Sequence, residues 1–346
     1  MKVETLQEFC VQAMLKCGMS EGPARIAAEV LVTTDAWGVY SHGTRALRQY
    51  LKRMRAGGLK AQARPHIIHE GPAFAMLDAD NALAMVSACR AMEIAIAKAK
   101  SAGIGYVTVK NSCHFGAAGY YANMAVKENM IGMAMSNVDT NVVAPSSKKP
   151  VIGCNPLAYA VPAGKEKPVF LDIAMSTVAA GKIAAAKFAG KRIPNTWYVD
   201  DEGLPTTDPS LYPEHGALQP MAGHKGFGLA ILIEVLSAVL AGAAVTKQLK
   251  SWGLEDPANP TGHGHAFIAI DIAALMPLAA FQERMDQMIR EIRNAPRAKG
   301  ADRIYLPGEI EWQRYEEQKQ KGLSLPPEVI DSLNGLADDL ELERLF

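Results

Sequence analysis

Apolar residues recur every three or four positions through residues 4–17, 21–38 and 44–55, which predicts three helices closing at the Gly57-Gly58 breaker. The stretch RPHIIHEGPAFAMLDADNA then reads as two short strands around a turn, and LAMVSACRAMEIAIAKAKSAG as a helix ended by Gly103. IGYVTVKNS is a strand with His114 just past its end. A helix over roughly 116–129 leads to the strand IGMAMSNV, and Asp139 follows that strand. Two strand ends therefore present a histidine and an aspartate.

From residue 151 the pattern gives short strands, NPLAYAVPA and PVFLDIAMS, and then the helix TVAAGKIAAAKFAG. A Pro-, Thr- and Asp-rich loop leads to MAGHKGFG and the apolar run GLAILIEVLSAVLAGAAV. AFIAIDIAAL is a strand, a helix follows near 279–293, and the charged tail is helical and expected to pack on the N-terminal helices. The expected organisation is a helical domain of residues 1–70 plus 310–346 and a mixed-sheet α/β domain of residues 71–309.

Composition narrows the function. Among 346 residues, 36 basic and 36 acidic side chains leave no net charge, so neither a basic footprint for nucleic acid nor an acidic tail exists. A small-molecule partner gains ground. The cysteines at 10, 17, 89, 113 and 154 form no CxxC pair, which points to reduced thiols in a cytoplasmic protein. MKVETLQEFCVQAML lacks the continuous apolar centre of a signal peptide. The long apolar run contains Glu234, costly in lipid, so it is expected to be a buried helix rather than a membrane span.

Several familiar motifs are missing: GxGxxG after the first strand, GxxxxGK followed by Ser or Thr, GxSxG, and HExxH. What remains are looser constellations. His114 and Asp139 stand 25 residues apart across one helix and one strand, a separation at which two neighbouring strand ends could lie side by side. A carboxylate on one imidazole nitrogen would leave the other as a proton acceptor near neutral pH. A loop histidine and a loop aspartate that never meet are the alternative.

GVYSHGTRALRQY supplies Ser41, His42, Arg45, Arg48 and Tyr50, with Ser41 able to cap a helix and an arginine fork suited to a carboxylate; an ordinary capped surface helix would look the same. In MAGHKGFG, glycines at 223, 226 and 228 and Lys225 open the apolar helix, a place where a phosphate would be held. NAPRAKGADRIYLPGE adds Arg297, Lys299 and Arg303, which could equally be solvated loop charges. His263 and His265 share one side of a strand like a metal pair but lack a nearby third ligand, so no metal is expected. Cys113 beside His114 would point away from it on a strand end.

As an ordered set, DAWGVYSHGT, NSCHFGAAGYYANMA, NPLAYAVPAG, LDIAMSTVAAGKI, GLPTTDP, AGHKGFGLAILIEVLSAVLAG and IYLPGE are similar to the malate/L-lactate dehydrogenase family of the second, non-Rossmann type. That family includes ureidoglycolate dehydrogenase, sulfolactate dehydrogenase, 2,3-diketogulonate reductase and cyclic imino acid reductases. The resemblance implies an α/β fold of the L-sulfolactate dehydrogenase-like kind, with a mixed-sheet cofactor domain and a helical domain built from the two ends of the chain. It also implies a homodimer and a small carboxylate substrate. The cofactor implied is NAD or NADP, with NAD favoured because GLPTTDP and NTWYVD lean toward the ureidoglycolate branch.

By the same resemblance His114 is the proton acceptor and Asp139 its partner, with Ser41, His42, Arg48 and Tyr50 on the substrate side. Asn155, Asp172, Ile173, Ala174, His224, Lys225, Gly226, Gly300 and Arg303 correspond to cofactor contacts. Many members carry an arginine four residues after the SHG histidine, where this chain has Ala46 and places arginines at 45 and 48. Its GCNP puts Cys154 where the family has a hydroxyl. The reaction implied is hydride transfer between nicotinamide and a 2-hydroxy or 2-oxo acid. A reductase of cyclic imino acids is the nearer alternative, and a catalytically silent nucleotide-binding scaffold the more distant one.

Overall fold

The computed structural model describes residues 1–346. The opening periodicity becomes α1 (Val3–Lys16), α2 (Glu21–Ala36) and α3 (Leu47–Ala56), the last ended by Gly57 in a left-handed conformation that favours glycine. A hairpin of β1 (His66–Glu70) and β2 (Phe74–Asp78) follows, then α4 (Ala84–Ala102), β3 (Ile104–Ser112), α5 (Ala118–Val126) and β4 (Met130–Ser136). The middle of the chain supplies β5 (Val142–Val143), β6 (Pro150–Ile152), β7 (Leu157–Val161), β8 (Val169–Ile173), α6 (Ala180–Phe188), β9 (Tyr198–Val199), β10 (Pro205–Thr206) and β11 (Ala217–Leu218). It closes with α7 (His224–Glu234), β12 (His263–Asp271), α8 (Leu278–Arg293), α9 (Glu309–Lys321) and α10 (Pro327–Leu340).

A seven-stranded mixed sheet runs β1-β2-β3-β12-β4-β7-β8, and a five-stranded sheet runs β10-β9-β11-β5-β6. This is neither a closed barrel nor the Rossmann arrangement. β12 lies between β3 and β4, antiparallel to both. The strands before His114 and Asp139 therefore end at the same edge of the sheet, but they are not the neighbours that their spacing suggested.

Alanine-rich α4 and α5 can approach one face of the sheet closely because of two glycines. A Cβ on Gly105 of β3 would stand 2.0 Å from the Ala95 carbonyl oxygen of α4, and one on Gly132 of β4 would stand 2.2 Å from that of Ala122 in α5. Backbone meets backbone there, so no side chain fits.

The C-terminal helices return to the start of the chain, α9 against α2 and α10 against α1 and α3. One core of 55 buried residues runs from Leu6, Leu31 and Leu333 in this helical layer through Met92 to Val107 and Phe267 in the sheet. The helical and sheet parts thus share a single hydrophobic interior, and β1 already belongs to the sheet.

The long apolar helix departs from the expectation of burial. In α7 and the π-turn after it (Val235–Val239), Ala230, Ile233 and Glu234 face inward, while Leu229, Leu232 and Val239 are 42%, 51% and 56% exposed. Only one side of the helix has a packing partner within this chain. Glu234 accepts hydrogen bonds from Asn155 (2.8 Å) and the Thr246 amide (2.9 Å), which offsets its burial. No helix is long and apolar enough to cross a membrane.

Gly105→Ala is expected to cost about 1–3 kcal/mol, the usual range for overpacking. Gly181→Ala in α6, where a Cβ would meet nothing within 4 Å, should be neutral or mildly stabilising. Urea unfolding of both variants checks the contrast.

Candidate active site

The end of β3 delivers His114 to the inner face of α3. Tyr50, fully buried on that face, places its hydroxyl 2.5 Å from His114 Nδ1, and the Gly116 amide lies 3.4 Å from the same nitrogen. The indole of Trp252 stacks on the imidazole, with ring centres 4.4 Å apart and planes 13° apart, and also covers the Tyr50 ring at 5.2 Å. His42 stands 5.4 Å from His114, and its Nδ1 is 2.8 Å from the Ser41 hydroxyl. Part of the His114 ring remains accessible within this surround.

The turn carrying Ser41 and His42 is anchored from beneath. Asp35, at the end of α2, accepts from the Thr44 amide (3.1 Å) and hydroxyl (2.5 Å). A Cβ on Gly43 would lie 1.9 Å from Asp35 Oδ1, so the glycine of SHG makes room for the carboxylate. Burial pushes the Asp35 carboxyl up to about 7, partly opposed by the two Thr44 hydrogen bonds.

The structure does not join Asp139 to His114. Asp139 sits on the loop after β4, with β12 intervening, and faces Ser251; burial raises its carboxyl and the serine hydroxyl partly offsets this. Tyr50, expected on the substrate side, hydrogen-bonds His114. Arg48 goes elsewhere: its Nε and NH2 donate to Asp339 of α10 at 2.7 and 3.2 Å on the outer side of α3. Arg48 and Tyr50 are two positions apart on the helix, which turns their side chains to different faces.

Burial lowers the His114 pKa well below 6.5, and repulsion from His42, His263 and His265 adds to the shift. The imidazole is therefore neutral around neutral pH and able to take a proton. Burial raises the Tyr50 phenol well above 10, so it stays protonated. His265 is a core residue, bonded to Ser112 (2.8 Å) and Ser136 (2.9 Å) and stacked on Phe115. His263 bonds Thr261 at 2.9 Å and is lowered to about 3 by burial and then by Arg53. No cluster of His, Cys, Asp and Glu has the makings of a metal site. Cys113 is buried and its thiol is raised by desolvation, leaving a poor nucleophile.

Across the smaller sheet, the segment after β8 meets the turn before α7. The Met221 amide donates to the Met175 carbonyl (2.8 Å) and the Thr177 amide to that of Gln219 (2.9 Å). This brings Asp172, Ile173 and Ala174 into the same region as His224, Lys225 and Gly226. Gly223, with φ of 62°, caps α7 without a side chain; the Gly226 amide donates to the Met221 carbonyl (3.0 Å), which leaves the amides of His224 and the exposed Lys225 as the unpaired ones at the helix start. A cavity of about 530 Å³ adjoins them, lined in part by Ser146, Ser147, Thr177 and Gly223. Free amides, hydroxyls and a lysine are a donor set that fits the phosphates of a dinucleotide.

Three cofactor-side residues have protein partners of their own. Asn155 is fully buried, accepting from Val138 and donating to Ala230 and Glu234, so its side chain ties the loop after β4 to α7. Asp172 accepts from the Gly119 amide at 2.7 Å, and desolvation lifts its carboxyl to about 6. Arg303 pairs with Glu309 (2.9 Å) and lies over Tyr305. Its loop, which includes Gly300, reaches the outer edge of β8 through the hydrogen bond from Phe170 N to Pro307 O.

Sequence reasoning missed Asp35, Arg53 and Trp252. An arginine at helical spacing from Tyr50 on an otherwise apolar face was a readable signal for Arg53; nothing local marks Trp252, which reaches His114 across 138 residues of chain.

A family model described as malate/L-lactate dehydrogenase matches residues 1–334. Malate dehydrogenase of Pyrococcus horikoshii is 37% identical over 99% of this chain and 96% of its own length. The solved sulfolactate dehydrogenase of Methanocaldococcus jannaschii superposes with a TM-score of 0.92 at 35% identity, covering 99% of this chain and 97% of that one. Malate dehydrogenase from Entamoeba histolytica superposes at 0.93 with 31% identity, covering 100% and 99%. End-to-end agreement in sequence and fold places this chain in the malate/L-lactate dehydrogenase family.

Proposed function

We propose that the protein is an NAD(P)-dependent oxidoreductase that interconverts a small 2-hydroxy acid and its 2-oxo acid, with His114 as the proton acceptor. The observation that carries the reading is the His114–Tyr50 hydrogen bond at 2.5 Å on a buried, partly accessible, neutral imidazole. When bound, the nicotinamide supplies the hydride acceptor for oxidation and the donor for reduction.

His114 Nε2 must hold a free lone pair to take the hydroxyl proton, so in the working tautomer Nδ1–H donates to the Tyr50 oxygen, and the Gly116 amide, a long 3.4 Å from Nδ1, turns to that same oxygen. Nδ1 keeps its hydrogen in this tautomer and in the imidazolium that follows, so the Tyr50 oxygen accepts from the ring in both states. In reverse, the imidazolium Nε2–H polarises the oxo group and returns the proton. With Arg48 engaged by Asp339, the substrate carboxylate is assigned to the Ser41–His42 turn beside His114. Asp139, on the same sheet edge and facing Ser251, is assigned no step at the imidazole.

His224, Lys225 and Gly226 at the start of α7, with Asp172, Ile173 and Ala174, are assigned to the dinucleotide, and Gly300 and Arg303 to its outer end. NAD is favoured over NADP on the GLPTTDP and NTWYVD segments. A second copy of the chain is the proposed cover for the exposed Leu229, Leu232 and Val239, giving a homodimer. Five free thiols suit a reducing cytoplasm.

The test is nicotinamide absorbance with NADH and NADPH against a panel of 2-oxo acids. Turnover is expected, and none with any acid would reject the reading. His114→Ala should lower kcat by about 100-fold or more, the scale of general acid–base catalysis, while cofactor binding followed by fluorescence persists. Tyr50→Phe keeps the ring packing and should produce a smaller loss, mainly in kcat.

The pH dependence has a definite sign. Oxidation needs neutral His114, whose pKa lies below 6.5, so kcat/KM for the hydroxy acid should be level above pH 6.5 and fall only on further acidification. Reduction needs the imidazolium and should accelerate as pH falls. An oxidation profile that halves near or above pH 7 would contradict this assignment.

A further inference from the structure

Arg53 is fully buried, and every hydrogen bond that it makes goes to a backbone carbonyl of one loop, 251–260. NH1 donates to Trp252 (3.0 Å) and Glu255 (3.4 Å), and NH2 donates to Asp256 (3.4 Å) and Asn259 (2.5 Å). Gln49 adds a second donor to the Trp252 carbonyl at 3.2 Å. The loop is closed at its base by the Lys250 amide on the Thr261 carbonyl (3.0 Å), and a Cβ on Gly58 would lie 2.2 Å from the Pro257 oxygen. Together these contacts hold the loop on α3 so that its tryptophan covers both His114 and Tyr50.

The charge around this pocket is equally specific. Arg53 forms no ion pair, so its cation is balanced only by carbonyl dipoles, and its field reaches Cys113, the residue next to His114, and His263. The other basic groups of α3 are turned outward. Arg48 pairs with Asp339, and Arg45, Lys52 and Arg55 line the cleft between α3 and α10 with it. The ionisable groups that shift His114, beyond its burial, are histidines 42, 263 and 265, and no arginine or lysine is among them. Its ring neighbours are Trp252, Tyr50 and His42.

We propose that Trp252, held by Arg53, is the specificity wall of the substrate pocket, and that the substrate is a 2-hydroxy or 2-oxo acid with a single anionic group and an uncharged side chain. The inference rests on the dehydrogenase reading above and names its substrate class. The Ser41–His42 turn offers donors for one carboxylate, and no arginine or lysine faces the His114 ring: Arg53 is engaged by the loop carbonyls and Arg48 by Asp339. A second carboxylate or a sulfonate would meet an indole face instead, losing hydration without gaining a charged partner. Arg53 is a positioning residue here, acting through Trp252.

The experiment compares kcat/KM of the full-length enzyme, with its preferred nicotinamide, on two groups of acids. Pyruvate, 2-oxobutyrate and phenylpyruvate carry one anion, and oxaloacetate and sulfopyruvate carry two. The expected result is that the best singly anionic acid exceeds both doubly anionic ones by at least about tenfold, the effect of roughly one lost polar pairing. Trp252→Ala should shift the ratio of phenylpyruvate to pyruvate by about tenfold or more toward the larger acid, as a change in pocket volume does.

Arg53→Met should reproduce that shift, mostly through KM, whereas Arg53→Lys keeps part of the wild-type ratio. Gln49→Ala, which removes the second donor to Trp252, supplies a milder version should the methionine variant fail to fold. Preference for a doubly anionic acid overturns this inference and leaves the dehydrogenase reading standing. A ratio unmoved by Trp252→Ala removes the indole from specificity. Failure of every acid with both cofactors overturns the inference and the reading beneath it together.

Discussion

The inner face of α3 is the constraint on which the site depends. Tyr50 and Arg53, one helical turn apart, are both fully buried, and each reaches a different part of the chain: Tyr50 the end of β3, Arg53 the loop after the π-turn. Each polar group carried inward requires partners to offset its lost hydration. For Tyr50 the partner is the reactive imidazole; for Arg53 it is a row of carbonyls. The same helix turns Arg48 outward to α10, so one short element locks the helical layer to the sheet, builds the pocket and excludes most of its own charge from it.

Burial also sets the protonation states. His114, His263 and His265 are all lowered by desolvation, and mutual repulsion among the histidines adds to the effect at His114. Two of the three serve the core, with hydroxyl partners from neighbouring segments, and only His114 is not fully enclosed. The carboxylates show the opposite sign: Asp35, Asp139 and Asp172 are raised by the same desolvation. Asp35 and Asp172 each accept amide hydrogen bonds that fix a turn or a helix start. They act as fasteners for the site's framework, set back from the reacting centre.

Family membership covers the whole chain, yet the pocket has its own composition. Ala46 stands where many family members carry an arginine, and it is buried. The arginines on either side, 45 and 48, both look out on the α10 cleft. The aromatic lining of Trp252, Tyr50 and His42 is what gives the pocket its selectivity in the reading offered here. Function resides in the site and not in the shared fold, so on the proposal above a few positions on one helix and one loop choose the side chain of the substrate.

The order and type of the elements were legible from residue spacing, because amphipathic helices, strand runs and glycine stops are local properties. The helices at 4–17, 21–38 and 44–55, the stop at Gly103 and the strand leading to His114 all follow from it. The histidine just past a strand end, the SHG turn and the glycine-opened helix were legible too, since each is a contiguous motif. Partnerships across the chain were not. Insertion of β12 between β3 and β4 separates His114 from Asp139, and helical rotation sends Arg48 to Asp339 and Tyr50 to His114. The apolar pattern of α7 did not reveal that only one side is covered, because hydrophobicity records a preference for burial and not the partner that provides it. Spacing along the chain determines which face a side chain occupies; only the packed fold decides what stands opposite that face.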